Sequence, residues 1–172
     1  ELDGEDQELQ SVHVDGRELG AAEFTLDDAG LTIPGLPERC EVKIVSIINP
    51  GGNTKLEGLY RSGGMYCTQC EAEGFRRITF FPDRPDVMTT YRVTIRADKA
   101  SNPVLLSNGN NVEAGDLPDG RHYAVWDDPF PKPAYLFALV AGDLAMVEDR
   151  FRTMGGRDVT LRIFVEHGNE TH

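Results

Sequence analysis

The run Tyr91-Arg92-Val93-Thr94-Ile95-Arg96-Ala97 alternates without a break. Tyr91, Val93, Ile95 and Ala97 fall on one face and Arg92, Thr94 and Arg96 on the other. A period of two belongs to the β-strand, whose successive side chains point to opposite sides of a sheet. Val159, Leu161, Ile163 and Val165 repeat the pattern against Thr160, Arg162 and Glu166, so both runs are expected to be strands with one apolar face.

Outward from these runs, turn signals recur at Asp3-Gly4, Asp15-Gly16, Pro50-Gly51-Gly52, Ser62-Gly63-Gly64, Asn108-Gly109, Asp119-Gly120 and Gly155-Gly156. Short β-branched and aromatic segments lie between them. Val42 to Ile48 is more continuously apolar and is expected to be more deeply buried. Leu9 to Val14 and Glu23 to Ile33 suggest outer hairpins. Tyr135-Leu136-Phe137-Ala138-Leu139-Val140, ending at Gly142-Asp143, reads as a central strand. Helix signals are sparse: Asp83 to Met88 fits one turn, with Asp83 as cap and Pro85 early in it. The expected fold is all-β and mostly antiparallel, a single domain over residues 1–172.

Composition narrows the function. Seventeen basic residues against twenty-nine acidic ones give a net charge of −12, which argues against a nucleic-acid surface. The longest apolar stretch, Ala134 to Val147, is broken by Gly142 and Asp143 and does not reach membrane-spanning length. Cys40, Cys67 and Cys70 are an odd number and form no disulfide framework, which points to a reducing compartment. A start at Glu1 reads as a processed or excised piece of a longer chain.

Catalytic signatures are missing. Cys67-x-x-Cys70 has no second Cys/His pair at ligand spacing, so no metal site is expected. The pair reads instead as two small residues on opposite faces of a strand. His13, His122, His167 and His172 are scattered, and there is no His-Glu-x-x-His, Gly-x-Ser-x-Gly, phosphate loop or dinucleotide fingerprint. Arg92 and Arg96 are expected to pair with the chain's acids. Trp126 to Pro133, with three prolines, reads as a rigid turn between strands.

The informative stretch is Thr68-Gln69-Cys70-Glu71-Ala72-Glu73-Gly74-Phe75-Arg76-Arg77, where acids crowd in front of the apolar Ile78, Phe80 and Phe81. On an extended backbone Gln69 and Glu71 share a face, and Glu73 continues the row. An amide beside a carboxylate suits a primary ammonium, held by charge-assisted hydrogen bonds. A salt bridge to Arg76 or Arg77, or a solvated edge, is the plainer alternative.

Several segments together resemble the zinc aminopeptidase N family, in its bacterial alanyl aminopeptidase branch. They are Asn53 to Tyr60, Cys67 to Arg76, Asp83-Arg84-Pro85-Asp86-Val87, Leu105 to Asn110, Trp126 to Pro133 and Tyr135 to Asp143, with residues before about Leu36 matching more loosely. The resemblance implies a twisted, saddle-like β domain at the N-terminus of a larger, cytoplasmic enzyme that removes N-terminal amino acids from peptides. The zinc, its ligands and a transition-state tyrosine would come from a thermolysin-like domain joined in cis, so this chain alone would carry no cofactor and no activity. It also implies that Glu71 binds the peptide's α-ammonium together with a glutamate of that catalytic domain, that Gln69 lines the pocket for the first side chain, and that Ala72 completes the set across a peptide bond often cis in relatives. A freestanding β-type interaction module is the main alternative. The epoxide-hydrolase relative of the same superfamily fits Gln-x-Glu-Ala-Glu-Gly less well.

Overall fold

The computed structural model describes residues 1–171. His172, and with it the spacing from His167 to His172, lies outside the described residues. Six short strands come first: β1 (Leu2–Asp3), β2 (Glu8–Val14), β3 (Arg17–Glu18), β4 (Thr25–Asp27), β5 (Gly30–Thr32) and β6 (Val42–Ile47). They form two small sheets, ordered β1-β5-β4 and β3-β2-β6. The expected hairpin in Glu23 to Ile33 is β4 paired with β5.

Next come β7 (Gly58–Ser62), β8 (Met65–Gln69), β9 (Thr89–Asp98), β10 (Val104–Ser107), β11 (Asn110–Asp116), β12 (Arg121–Lys132) and β13 (Leu139–Gly142). Sheet order is β10-β13-β8-β7 in one group and β11-β12-β9 in the other. A last hairpin, β14 (Ala145–Arg152) with β15 (Asp158–Val165), stands as its own two-stranded sheet. Every pairing between these strands is antiparallel. Among the described residues no helix is long and apolar enough to cross a membrane.

The core forms three clusters. Val12, Leu31, Ile33 and Phe80 close the first, between the small sheets. Cys70, Phe75, Ala134 and Phe137 make the second, where the Phe75 ring meets Phe81 and Phe137 edge-on at centroid distances of 5.0 Å. Ile95, Leu105, Ala124 and Ala141 make the third, beneath β9, β10, β12 and β13. In β9 the alternation read from the sequence holds residue by residue, with Val93, Ile95 and Ala97 inward and Arg92, Thr94 and Arg96 in water.

Four local expectations change. β6 is an edge strand rather than a deeply buried one: Val42 and Ile44 face the core, while Val45 and Ile47 point to the opposite face of the sheet and are exposed. Tyr135 to Val140 is not one strand. Pro133 leads into a 3-10 turn (Ala134–Leu136), and the central strand β13 begins only at Leu139. Trp126 to Lys132 is the end of β12, not a separate turn. Pro129 and Pro131 sit where its register with β9 breaks, the place a residue without an N–H is tolerated. Asp83 caps no helix; residues 84–87 close a simple turn, and the Asp83 carboxylate goes elsewhere.

Candidate functional site

The expected row of Gln69, Glu71 and Glu73 along one strand face does not form, because β8 stops at Gln69. The chain then turns through residues 71–74, closed by the Gly74 N–H donating to the Cys70 carbonyl at 2.8 Å. The turn permits no side chain at two places. A Cβ on Gly74 would lie 2.3 Å from the Gln69 carbonyl oxygen, and Gly58, at φ +72°, would put one 2.7 Å from Arg77 Cβ. These glycines let β7 and the 3-10 turn (Phe75–Arg77) close around the 71–74 backbone.

Within this turn the two acids have different fates. Glu73 pairs with Arg76 at 3.5 Å, which is the plainer role considered above. Glu71 is exposed, and its carboxylate enters no ion pair or hydrogen bond among the described residues. Its carbonyl accepts from the Gln69 side-chain amide at 3.1 Å, and the Glu71–Ala72 peptide is cis. Gln69, Glu71 and Ala72 are thus brought together by a turn in which the amide folds over the backbone.

Beneath the turn, Cys70 points into the second core cluster and is 2% exposed. Burial first, and the nearby Asp83 charge second, push its thiol up to about 12. The same two causes, burial leading, carry the Tyr91 hydroxyl to about 12. Cys67 stays on β8 opposite Tyr60 of β7, and its proximity, with burial, raises the tyrosine's pKa. The two cysteines are free thiols.

Sequence reasoning named Arg76 only as a partner for the acids and missed Asp83. The Asp83 carboxylate is 2% exposed; its Oδ2 accepts from Arg76 N–H at 3.0 Å and from Arg76 Nε at 3.2 Å. Arg76 Nη2 also donates to the Asp83 carbonyl at 3.1 Å. Burial opposes the charge on Arg76, but the Asp83 hydrogen bond and the Asp3 and Glu73 carboxylates hold its pKa above the usual value. Its neighbour Arg77 reaches Glu5, Asp6 and Glu57. The available signal was the position of two arginines between exposed acids and an apolar run, because such acids need partners.

The fold and this turn define the class: the chain belongs to the peptidase M1 N-terminal domain family, whose model matches residues 7–136. That reach extends well before Leu36, further than the sequence segments suggested. The chain is 56% identical over 167 residues to Aminopeptidase N of Caulobacter vibrioides, covering 97% of this chain and 19% of that protein. It is 52% identical over 168 residues to Aminopeptidase N of Escherichia coli K12, covering 98% of this chain and 19% of that one. Among solved structures, Legionella pneumophila aminopeptidase A in complex with aspartic acid superposes with a TM-score of 0.91 at 39% identity, over 96% of this chain and 20% of that one. The chain therefore spans about a fifth of the length of the relatives it matches.

Proposed function

We propose that this chain is the N-terminal, substrate-recognition domain of a zinc-dependent aminopeptidase that removes amino acids one at a time from the free amino end of peptides. The observation that carries the reading is Glu71, an exposed carboxylate left unpaired among the described residues on a turn whose neighbours are fixed from below by Cys70 and from the side by Arg76. A carboxylate held in place but not neutralised suits a primary ammonium, through charge-assisted hydrogen bonds. Once the terminus is registered, the first peptide bond lies at a constant distance, which accounts for release of a single residue. Gln69 and Ala72 flank the carboxylate and border the space for the first side chain.

The catalytic part joins in cis and supplies the second glutamate for the ammonium. Among the described residues no three His, Cys, Asp or Glu side chains come together as metal ligands, and in this reading the zinc and its ligands belong to the catalytic part. In this reading the isolated chain is inactive. Its partners are the peptide terminus and its own catalytic domain, with no nucleic acid, and its three free cysteines support a cytoplasmic setting.

The catalytic part also covers the apolar face of the β14–β15 hairpin. A freestanding interaction module is the competing reading, and that face weighs against it. A domain that lives alone gains nothing from keeping Leu161 43% and Ile163 61% exposed. In the longer polypeptide, Glu71→Ala should lower kcat/KM on aminoacyl substrates about tenfold to a hundredfold, and weaken the preference for a free over a blocked amino end. Wild-type kinetics after that change would sink the reading.

A further inference from the structure

We infer that Asp83 is a positioning residue: through Arg76 it sets the place of the turn that carries Glu71. The inference rests on Glu71 being the ammonium-binding group. Asp83 follows Phe80 and Phe81 in the chain, and its carboxylate is almost wholly out of water. One oxygen of that carboxylate takes both the backbone N–H and the Nε of Arg76. The main chain at the end of the turn and the guanidinium are therefore gripped by the same atom.

The grip extends in both directions. Arg76 Nη2 reaches Glu73 at 3.5 Å, inside the turn and two residues from Glu71. On the far side, Asp83 N–H donates to Asp3 Oδ2 at 2.9 Å, and Arg76 Nη1 stands 3.9 Å from Asp3 Oδ1. The Arg76 carbonyl in turn accepts from Glu5 N–H at 3.0 Å and from Gln7 Nε2 at 2.6 Å. The N-terminal strand, the 3-10 turn and the Asp83 segment thus meet on one arginine.

Burying an ion pair is an inefficient way to gain stability, because desolvation consumes most of the attraction. Such a pair does fix geometry, since a guanidinium fork and a carboxylate satisfy each other in few orientations. Here the geometry that it fixes is that of the backbone next to Glu71. Glu71 itself has no side-chain tether among the described residues, so its placement depends on the backbone beneath it.

The test is a double-mutant cycle in the longer polypeptide, with Asp83→Asn, Glu71→Ala and the double variant assayed on an aminoacyl substrate with a free amino end. Asp83→Asn is expected to lower kcat/KM about tenfold or more, mainly through KM, because small misplacements of a binding group are costly. In the Glu71→Ala background the same change should have almost no effect. If the two losses multiply, or if Asp83→Asn alone has wild-type kinetics, Asp83 serves only the fold and the inference is overturned. If Glu71→Ala itself is silent, the recognition reading fails and takes the inference with it. Should Asp83→Asn not fold, Glu73→Gln replaces it at an exposed position. A loss of kcat/KM that vanishes without Glu71 then supports the inference, and wild-type kinetics overturn it.

Discussion

Strands β9 and β15 carry the same alternation, yet they stand in different surroundings. In β9, Val93, Ile95 and Ala97 pack with Leu105, Ala124 and Ala141, and Ile95 is 9% exposed. In β15, Val159, Leu161, Ile163 and Val165 line up with Ala145, Val147 and Phe151 of β14 into a mostly apolar face, interrupted by Asp149 opposite Leu161. Phe151 on that face is 56% exposed. Period-two patterning fixes the element and which side is apolar; it does not say what covers that side. For β9 the cover is inside this chain, whereas the large apolar side chains of the hairpin face, Leu161, Ile163 and Phe151, remain exposed among the described residues.

The sharpest way to break this contrast is a pair of truncations. Ile95→Ala should cost about 3 kcal/mol, the loss of a filled core position. Ile163→Ala in the same chain should cost under about 0.5 kcal/mol, as at a surface site. Denaturant unfolding of both variants checks the pair, and equal losses would mean that the hairpin face is covered within this chain after all. Gly74→Ala comes next, at about 2 kcal/mol, because the new methyl meets the Gln69 carbonyl backbone rather than a side chain that can move aside. An unchanged melting temperature would show that the turn is looser than its contacts imply.

The smallest effect sits where the hairpin joins the body. His167, just past β15, is hydrogen-bonded to Asp143 at 2.9 Å, and that bond, reinforced by the Asp143 charge, raises its pKa above the ordinary value. The contact is therefore complete below the ordinary histidine pKa and is lost as pH rises through the raised one. An NMR titration of the ring should show the upward shift, and Asp143→Asn should abolish it. Exposure of both groups keeps the effect on stability small.

Much of the fold was legible because turns and alternation are local. β9, the hairpin pattern of β15 and the β4–β5 hairpin follow from residue spacing alone. β6 misled because a run of apolar residues looks alike in a central strand and in an edge strand. Tyr135 to Val140 misled because Pro133 and the 3-10 turn after it interrupt a β-like composition. At the candidate site, the sequence placed Gln69 and Glu71 on one strand face, whereas the structure brings them together across a turn. A strand model could not show that Glu73 is paired while Glu71 is free. The Arg76–Asp83 pair was hidden because it joins residues through a buried atom rather than through spacing.

The two adjacent arginines have one more consequence. Between them, Arg76 and Arg77 answer to six carboxylates, those of Asp3, Glu5, Asp6, Glu57, Glu73 and Asp83. Even with Lys55, which also holds Asp6, three positive charges cannot neutralise six negative ones, so the ground beside Glu71 keeps a surplus of negative potential even where every acid has a partner. A cationic molecule drifting past feels that surplus before it touches anything, over roughly 10 Å at moderate salt. Capture at this turn is thus expected to be faster in dilute buffer than in concentrated salt, whatever the final contacts are worth.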